Sequence, residues 1–164
     1  MELFHPMSNS KQLETFIYSV VCILLSILVS VYTQFITFTI TLSSEWMYYL
    51  LRTLVYPGIL EEVTWRVWAQ PSPFEDMPIT QRVLWCSVAI VGFILYHPMI
   101  AYFTKKYTCF YNPVFLALAL LLGITCTLIY QSTGSILPCI LLHWIIVAAW
   151  LCILGGDKVL FDKR

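Results

Sequence analysis

Charge is what this chain has little of. Only 11% of its 164 residues are Asp, Glu, Lys or Arg, against about 25% in soluble domains, while 60% are hydrophobic and mean hydropathy is +0.81. That deficit excludes an ordinary soluble domain and indicates an integral membrane protein. Formal net charge is zero, so phosphate recognition has no electrostatic support and no nucleic-acid partner is expected. Cysteines at metal-site spacing are missing too. Cys22, Cys86, Cys109, Cys126, Cys139 and Cys152 stand apart with no C-x-x-C pair, which favours buried thiols acting as small hydrophobes over a metal or disulfide framework. Internal repeats and low-complexity tracts are absent. A cleaved secretory leader is not expected: the uncharged run from Thr15 to Ser44 far exceeds a signal core and has no convincing small-x-small cleavage site.

What remains is a series of apolar stretches divided by charges and prolines. A membrane span needs about 20 residues to cross roughly 30 Å of hydrocarbon. Residues 15–44 are expected to hold one long helix, with its polar Thr and Gln positions turned toward protein. Residues 46–69 form a weaker second segment, broken by Arg52, Pro57-Gly58 and a charged cluster. Residues 71–78 contain three prolines and two acids, which cannot continue a helix. Residues 83–104 supply a third span. The uncharged stretch from Tyr107 to Gly156 is split by residues 131–135 into fourth and fifth spans, with Ser135 as the expected N-cap and Pro138 in the first turn.

The expected fold is therefore all-α, a polytopic membrane helix bundle with about five transmembrane helices. It divides into an N-terminal tail (1–14), a transmembrane domain (15–156) and a charged interfacial tail (157–164). Five spans put the termini on opposite sides. Lys105, Lys106, Lys158, Lys163 and Arg164 outnumber Lys11 and Arg82 across the membrane, so the positive-inside rule predicts a cytoplasmic C-terminus. Trp46, Tyr48, Tyr49, Trp68, Trp85, Tyr107, Tyr111 and Tyr130 lie near segment ends and fit interfacial anchors in contact with membrane lipids.

Five ionisable residues contradict this apolar background: Glu61, Glu62, Arg66, His97 and His143. Each ionisable group at membrane depth costs roughly 3 kcal/mol on insertion scales, so each needs a partner or a function. On a helix Glu62 and Arg66 lie four apart, share a face and can pair. Glu61 is rotated by about 100° and points elsewhere, beside Trp65 and Trp68, leaving its carboxylate free to accept protons. The bland alternative is a snorkelling interfacial triad. His97 follows Phe93 by four positions and precedes Pro98, which bends helices and can admit water. His143 falls about two turns after Ser135. Singly, each His reads as a hydrogen-bonded core residue. Together, three segments each carry an ionisable site, and facing helices build sites from such residues. A carboxylate with two imidazoles contains the parts of a hydrolase.

The ordered set resembles the family of glutamic intramembrane proteases that includes the CaaX prenyl-protein endopeptidases and the bacteriocin-processing Abi proteins (CPBP). Glu-Glu-x-x-x-Arg corresponds to Glu61, Glu62 and Arg66; Phe-x-x-x-His to Phe93 and His97; a His after a Gly-Ser turn to His143 after Gly134-Ser135. These motifs span a core of residues 57–147. The resemblance implies an endopeptidase in which Glu61 and His97 activate water, His143 helps hold the oxyanion, and Glu62 and Arg66 form a structural pair. It implies a membrane-associated protein or peptide substrate and neither metal nor cofactor. One position departs: the third motif usually ends in Asn or Asp where this chain has Val147. That departure sustains a second reading, a non-proteolytic scaffold or immunity-type protein. Two further readings use the same residues: a zinc protease with Glu61, His97 and His143 as ligands, and a b-type haem protein with His97 and His143 as axial ligands.

Overall fold

The computed structural model describes residues 7–38 and 46–160. Every regular element among them is helical: α1 (Asn9–Tyr32), α2 (Trp46–Thr53), a wide π-helical turn (Leu54–Ile59), α3 (Leu60–Glu62), a second π-helical turn (Val63–Trp68), α4 (Ile79–Thr104), a 3-10 turn (Thr108–Tyr111), α5 (Pro113–Thr133), α6 (Leu137–Cys152) and α7 (Gly156–Leu160). Three helices, α1, α4 and α5, are long and apolar enough to cross a membrane; α6 is apolar but shorter. With the broken segment from Trp46 to Trp68 they form a helical bundle.

Helix α1 is built inside out relative to a soluble helix. Thr15, Cys22 and Ser30 are buried against the bundle while Leu13, Phe16, Leu24 and Leu28 face outward. Small and polar residues at a helix contact let backbones approach where lipid is the solvent. The helix starts ahead of Thr15, where Lys11 and Glu14 neutralise each other at 2.8 Å, and it stops at Tyr32 instead of reaching Ser44. Phe35 leaves the helix to stack on Trp150, centroids 5.9 Å apart, and the Thr37 N–H donates to the Leu154 carbonyl at 3.3 Å. These tertiary contacts outweigh the weak helix preference of the Thr- and Ile-containing stretch. Residues 39–44 of the expected helix lie outside the described residues. Thr15 faces protein as anticipated, but Thr33 and Gln34 are exposed.

The second segment breaks where the sequence suggests. Tyr56 leaves helical geometry (φ −137°, ψ 107°) immediately before Pro57, whose ring removes a backbone donor. Gly58 then allows close approach to α6. A Cβ there would sit 3.1 Å from the Thr53 carbonyl oxygen and 3.5 Å from the Trp144 Cβ.

Pro78 precedes α4 and Asn112 caps α5, its side chain accepting from the Val114 N–H at 2.8 Å. Gly134 ends α5 at φ 71°, and its N–H donates to the Tyr130 carbonyl at 2.8 Å. The cap of α6 is Ile136, with no side-chain capping bond, not Ser135. Ser135 is buried, its backbone N–H donating to the Thr133 hydroxyl at 3.1 Å, so it closes the α5–α6 turn from the other side. Two expected interfacial anchors, Tyr49 and Tyr130, are buried instead. Tyr130 packs in the core with Cys22, Leu122, Cys126, Ile129, Cys139 and Leu142. Asp157, expected in a charged interfacial tail, is buried in α7.

Candidate active site

The π-helical turns on either side of α3 put Glu61 and Glu62 on different faces of a three-residue helix, and both are buried. π-Helical turns recur at functional sites because they re-aim side chains. Glu62 is fully enclosed. Its Oε2 accepts from Arg66 Nε at 2.9 Å and its Oε1 accepts from His143 Nδ1 at 2.7 Å. The i,i+4 pair anticipated from spacing is therefore present, and it carries a third member from α6.

Arg66 is equally enclosed. Its Nη1 donates to Thr127 Oγ1 at 3.1 Å, and Gln70 Nε2 donates to the same hydroxyl at 2.8 Å. The Thr127 hydroxyl in turn donates to the Gly123 carbonyl at 2.9 Å. The guanidinium carbon lies 5.4 Å from the Phe93 ring centroid, a cation–π distance. A buried ion pair draws on further hydrogen bonds to stand; α5 supplies one through Thr127, while Arg66 Nη2 is buried without a hydrogen-bond partner.

Glu61 differs in kind from its neighbour. Its Oε2 is buried with no hydrogen-bond partner and lies 4.0 Å from His143 Nε2. Since Glu62 can only accept, His143 carries a proton on Nδ1 and turns Nε2 toward Glu61. Trp68, expected beside Glu61, is 77% exposed.

His97 reaches the site from α4. Its Nδ1 lies 2.9 Å from the Phe93 carbonyl, which can only accept, so Nδ1 carries the proton and Nε2 is the basic nitrogen. Phe93 joins the two histidines, its ring 5.0 Å from His97 and 6.2 Å from His143, edge-on to both. That ring fits because α5 has Gly123 opposite; a Cβ there would lie 3.0 Å from Phe93 Cδ1.

Glu61, His97, His143, Phe93 and Val147 all line one cavity of about 300 Å³. The walls are otherwise largely apolar, with Ile27, Phe110, Phe115, Leu118, Ile146 and Trp150 among them. At one part of the wall Arg52 Nη2 donates to the Tyr107 hydroxyl at 3.4 Å. Tyr56 also lines the cavity, and its hydroxyl bonds that of Tyr96.

Metal-ligand atoms converge elsewhere. A Glu62 oxygen and the sulfurs of Cys126 and Cys139 lie within 4.8 Å of one another, but that carboxylate is already held by Arg66. The two thiols point at each other's backbone carbonyls, at 3.9 and 3.3 Å. Thr127, Gln70 and Arg52 were not singled out from sequence. Only Arg52, a charge within an apolar segment, offered a signal there.

A family model described as type II CAAX prenyl endopeptidase, Rce1-like, matches residues 43–149. No curated protein and no solved structure matches the chain. The matched region covers well over half of the 164 residues and contains every motif position from Glu61 to Val147. The chain is thus an integral membrane protein of the Rce1-like family of type II CAAX prenyl endopeptidases.

Proposed function

We propose that this protein is an intramembrane endopeptidase that hydrolyses a peptide bond of a membrane-associated, prenylated peptide, with Glu61 as its general base. Family membership supports protease activity at the coarse level. One observation carries the finer reading: the two adjacent glutamates have opposite circumstances. Glu62 is saturated by Arg66 and His143, whereas Glu61 Oε2 has no hydrogen-bond partner in the protein and faces the cavity that His97 and His143 share.

The 4.0 Å between Glu61 Oε2 and His143 Nε2 suits a single water that hydrogen-bonds both. Glu61, aided by the basic Nε2 of His97, takes a proton from water as its oxygen attacks the scissile carbonyl carbon. The carbonyl π-electrons move to oxygen. His143, protonated and backed by the Glu62 carboxylate at Nδ1, donates from Nε2 to that oxyanion. Collapse breaks the C–N bond, and the proton held by Glu61 passes to the leaving amine. The apolar wall accommodates a lipid chain and limits competing water.

The rival reading, a non-proteolytic scaffold, draws on Val147. An apolar side chain lines the cavity where the family motif usually has Asn or Asp. Incubating the purified protein with a farnesylated C-terminal peptide separates the two. Wild type is expected to release the C-terminal fragment and E61Q to release none. Equal release by both proteins rejects the role given to Glu61, and release by neither supports the scaffold.

A further inference from the structure

We propose that Arg52 is the specificity-determining anchor for the free C-terminal carboxylate of the peptide substrate; this rests on the protease reading above. Arg52 is the one cationic side chain among the described residues that line the cavity, apart from the histidines. It stands on α2, across the break at Tyr56 from Glu61, and is held to the wall by its bond to Tyr107. A guanidinium there supplies planar donors matched to a carboxylate, inside walls that strengthen the attraction by excluding water.

The spacing agrees with the chemistry. A CaaX motif places its prenylated cysteine three residues from the chain terminus. Cleavage after that cysteine leaves an extended tripeptide of about 10 Å between the reacting carbonyl and the terminal carboxylate. Nine residues separate Arg52 from Glu61, about 14 Å of rise were all of them helical, both line the same cavity, and the length of the Arg side chain gives the guanidinium the reach to meet that carboxylate. A peptide whose reacting carbonyl lies at Glu61 therefore brings its carboxylate to Arg52. Substrates with the same internal sequence but no free terminus lose that contact, which explains how one cavity distinguishes a chain end from an internal segment.

The test compares two farnesylated peptides of identical sequence, one ending in a carboxylate and one in an amide. Binding is measured by fluorescence on E61Q protein in detergent, so no turnover is needed. The acid is expected to bind about 10- to 100-fold tighter than the amide, the range for one hydrogen-bonded charge pair. R52Q in the same background should bring that ratio near one, with R52K retaining part of it. Equal binding of acid and amide to E61Q overturns the anchor, as does a preference that survives R52Q. The first comparison leaves Arg52 intact, so misfolding of R52Q does not remove it. Wild-type turnover is scored separately. A carboxylate preference without turnover rejects the protease reading alone, and turnover without the preference rejects Arg52 alone.

Discussion

His143 donates from Nδ1 to Glu62 across 2.7 Å, although 81 positions separate them in the chain. This bond makes Glu62 the joint between the charged second segment and α6. The same carboxylate holds Arg66, whose other nitrogen reaches α5. Three elements thus meet on one buried side chain, and the imidazole that faces Glu61 is oriented by it.

Breaking that joint should cost stability before it costs chemistry. Removing one partner of a buried pair leaves the other charge uncompensated, at about 3–5 kcal/mol. E62A and R66A are each expected to lower the thermal midpoint of the detergent-solubilised protein sharply and to reduce yield. The double variant should be less damaging than the two single effects added, because the orphaned charge is gone. Thermal unfolding of the three proteins checks this, and strict additivity would argue that the pair is not a unit.

E61Q should behave in the opposite way. Glu61 Oε2 makes no hydrogen bond within the protein, so an isosteric amide removes little that holds the fold. The expected result is an unchanged or slightly raised midpoint with proteolysis reduced by about 10²–10⁴, the usual worth of a general base. A large stability loss without a change in cleavage rate would assign Glu61 a structural role.

The contrast between these two glutamates shows what the sequence discloses and what it conceals. The Glu62–Arg66 pair is legible because i,i+4 spacing on a helix is local geometry. The prolines of residues 71–78, which cannot continue a helix, are local in the same sense. The third partner of Glu62 comes from α6, and no periodicity reports it. Helix α1 ends at Tyr32 because Phe35 stacks on Trp150, a contact made only after folding. Ser135 has the chemistry of a cap, yet Thr133 takes its N–H and α6 starts without one. Arg52 is visible in sequence only as a charge that interrupts an apolar run; the cavity that gives it a purpose is tertiary.

Gly123 tests whether Phe93 positions both histidines. Alanine would place a methyl 3.0 Å from the Phe93 ring, tighter than normal carbon contact. The ring must then shift against His97 and His143. G123A is expected to lower kcat by tenfold or more with a modest change in KM, since small displacements of reacting groups are costly. A smaller aromatic replacement cannot be made at Phe93 itself, so F93L in the G123A background serves as the compensating variant, with partial recovery expected. Wild-type kinetics in G123A would show that the ring has room to spare.

Val147 is where the chain departs from the family motif, and it allows activity to be added instead of removed. It lies one helical turn beyond His143 and lines the same cavity, so a donor there faces the space into which the proposed mechanism puts the oxyanion. An oxyanion-hole donor is worth about 10²–10³ in kcat when removed from an optimised site. V147N is expected to recover part of that, raising kcat by about tenfold while leaving KM near its original value, the signature of an interaction made only in the transition state. The substitution also places an amide against an apolar wall, where unmet hydrogen bonds cost about 1–3 kcal/mol. The thermal midpoint should therefore fall as the rate rises. V147A separates the two effects, because it opens similar space without a donor and should give no gain. A rate increase shared by V147A and V147N would trace the effect to cavity volume, and no increase in either would place the oxyanion away from this face of α6.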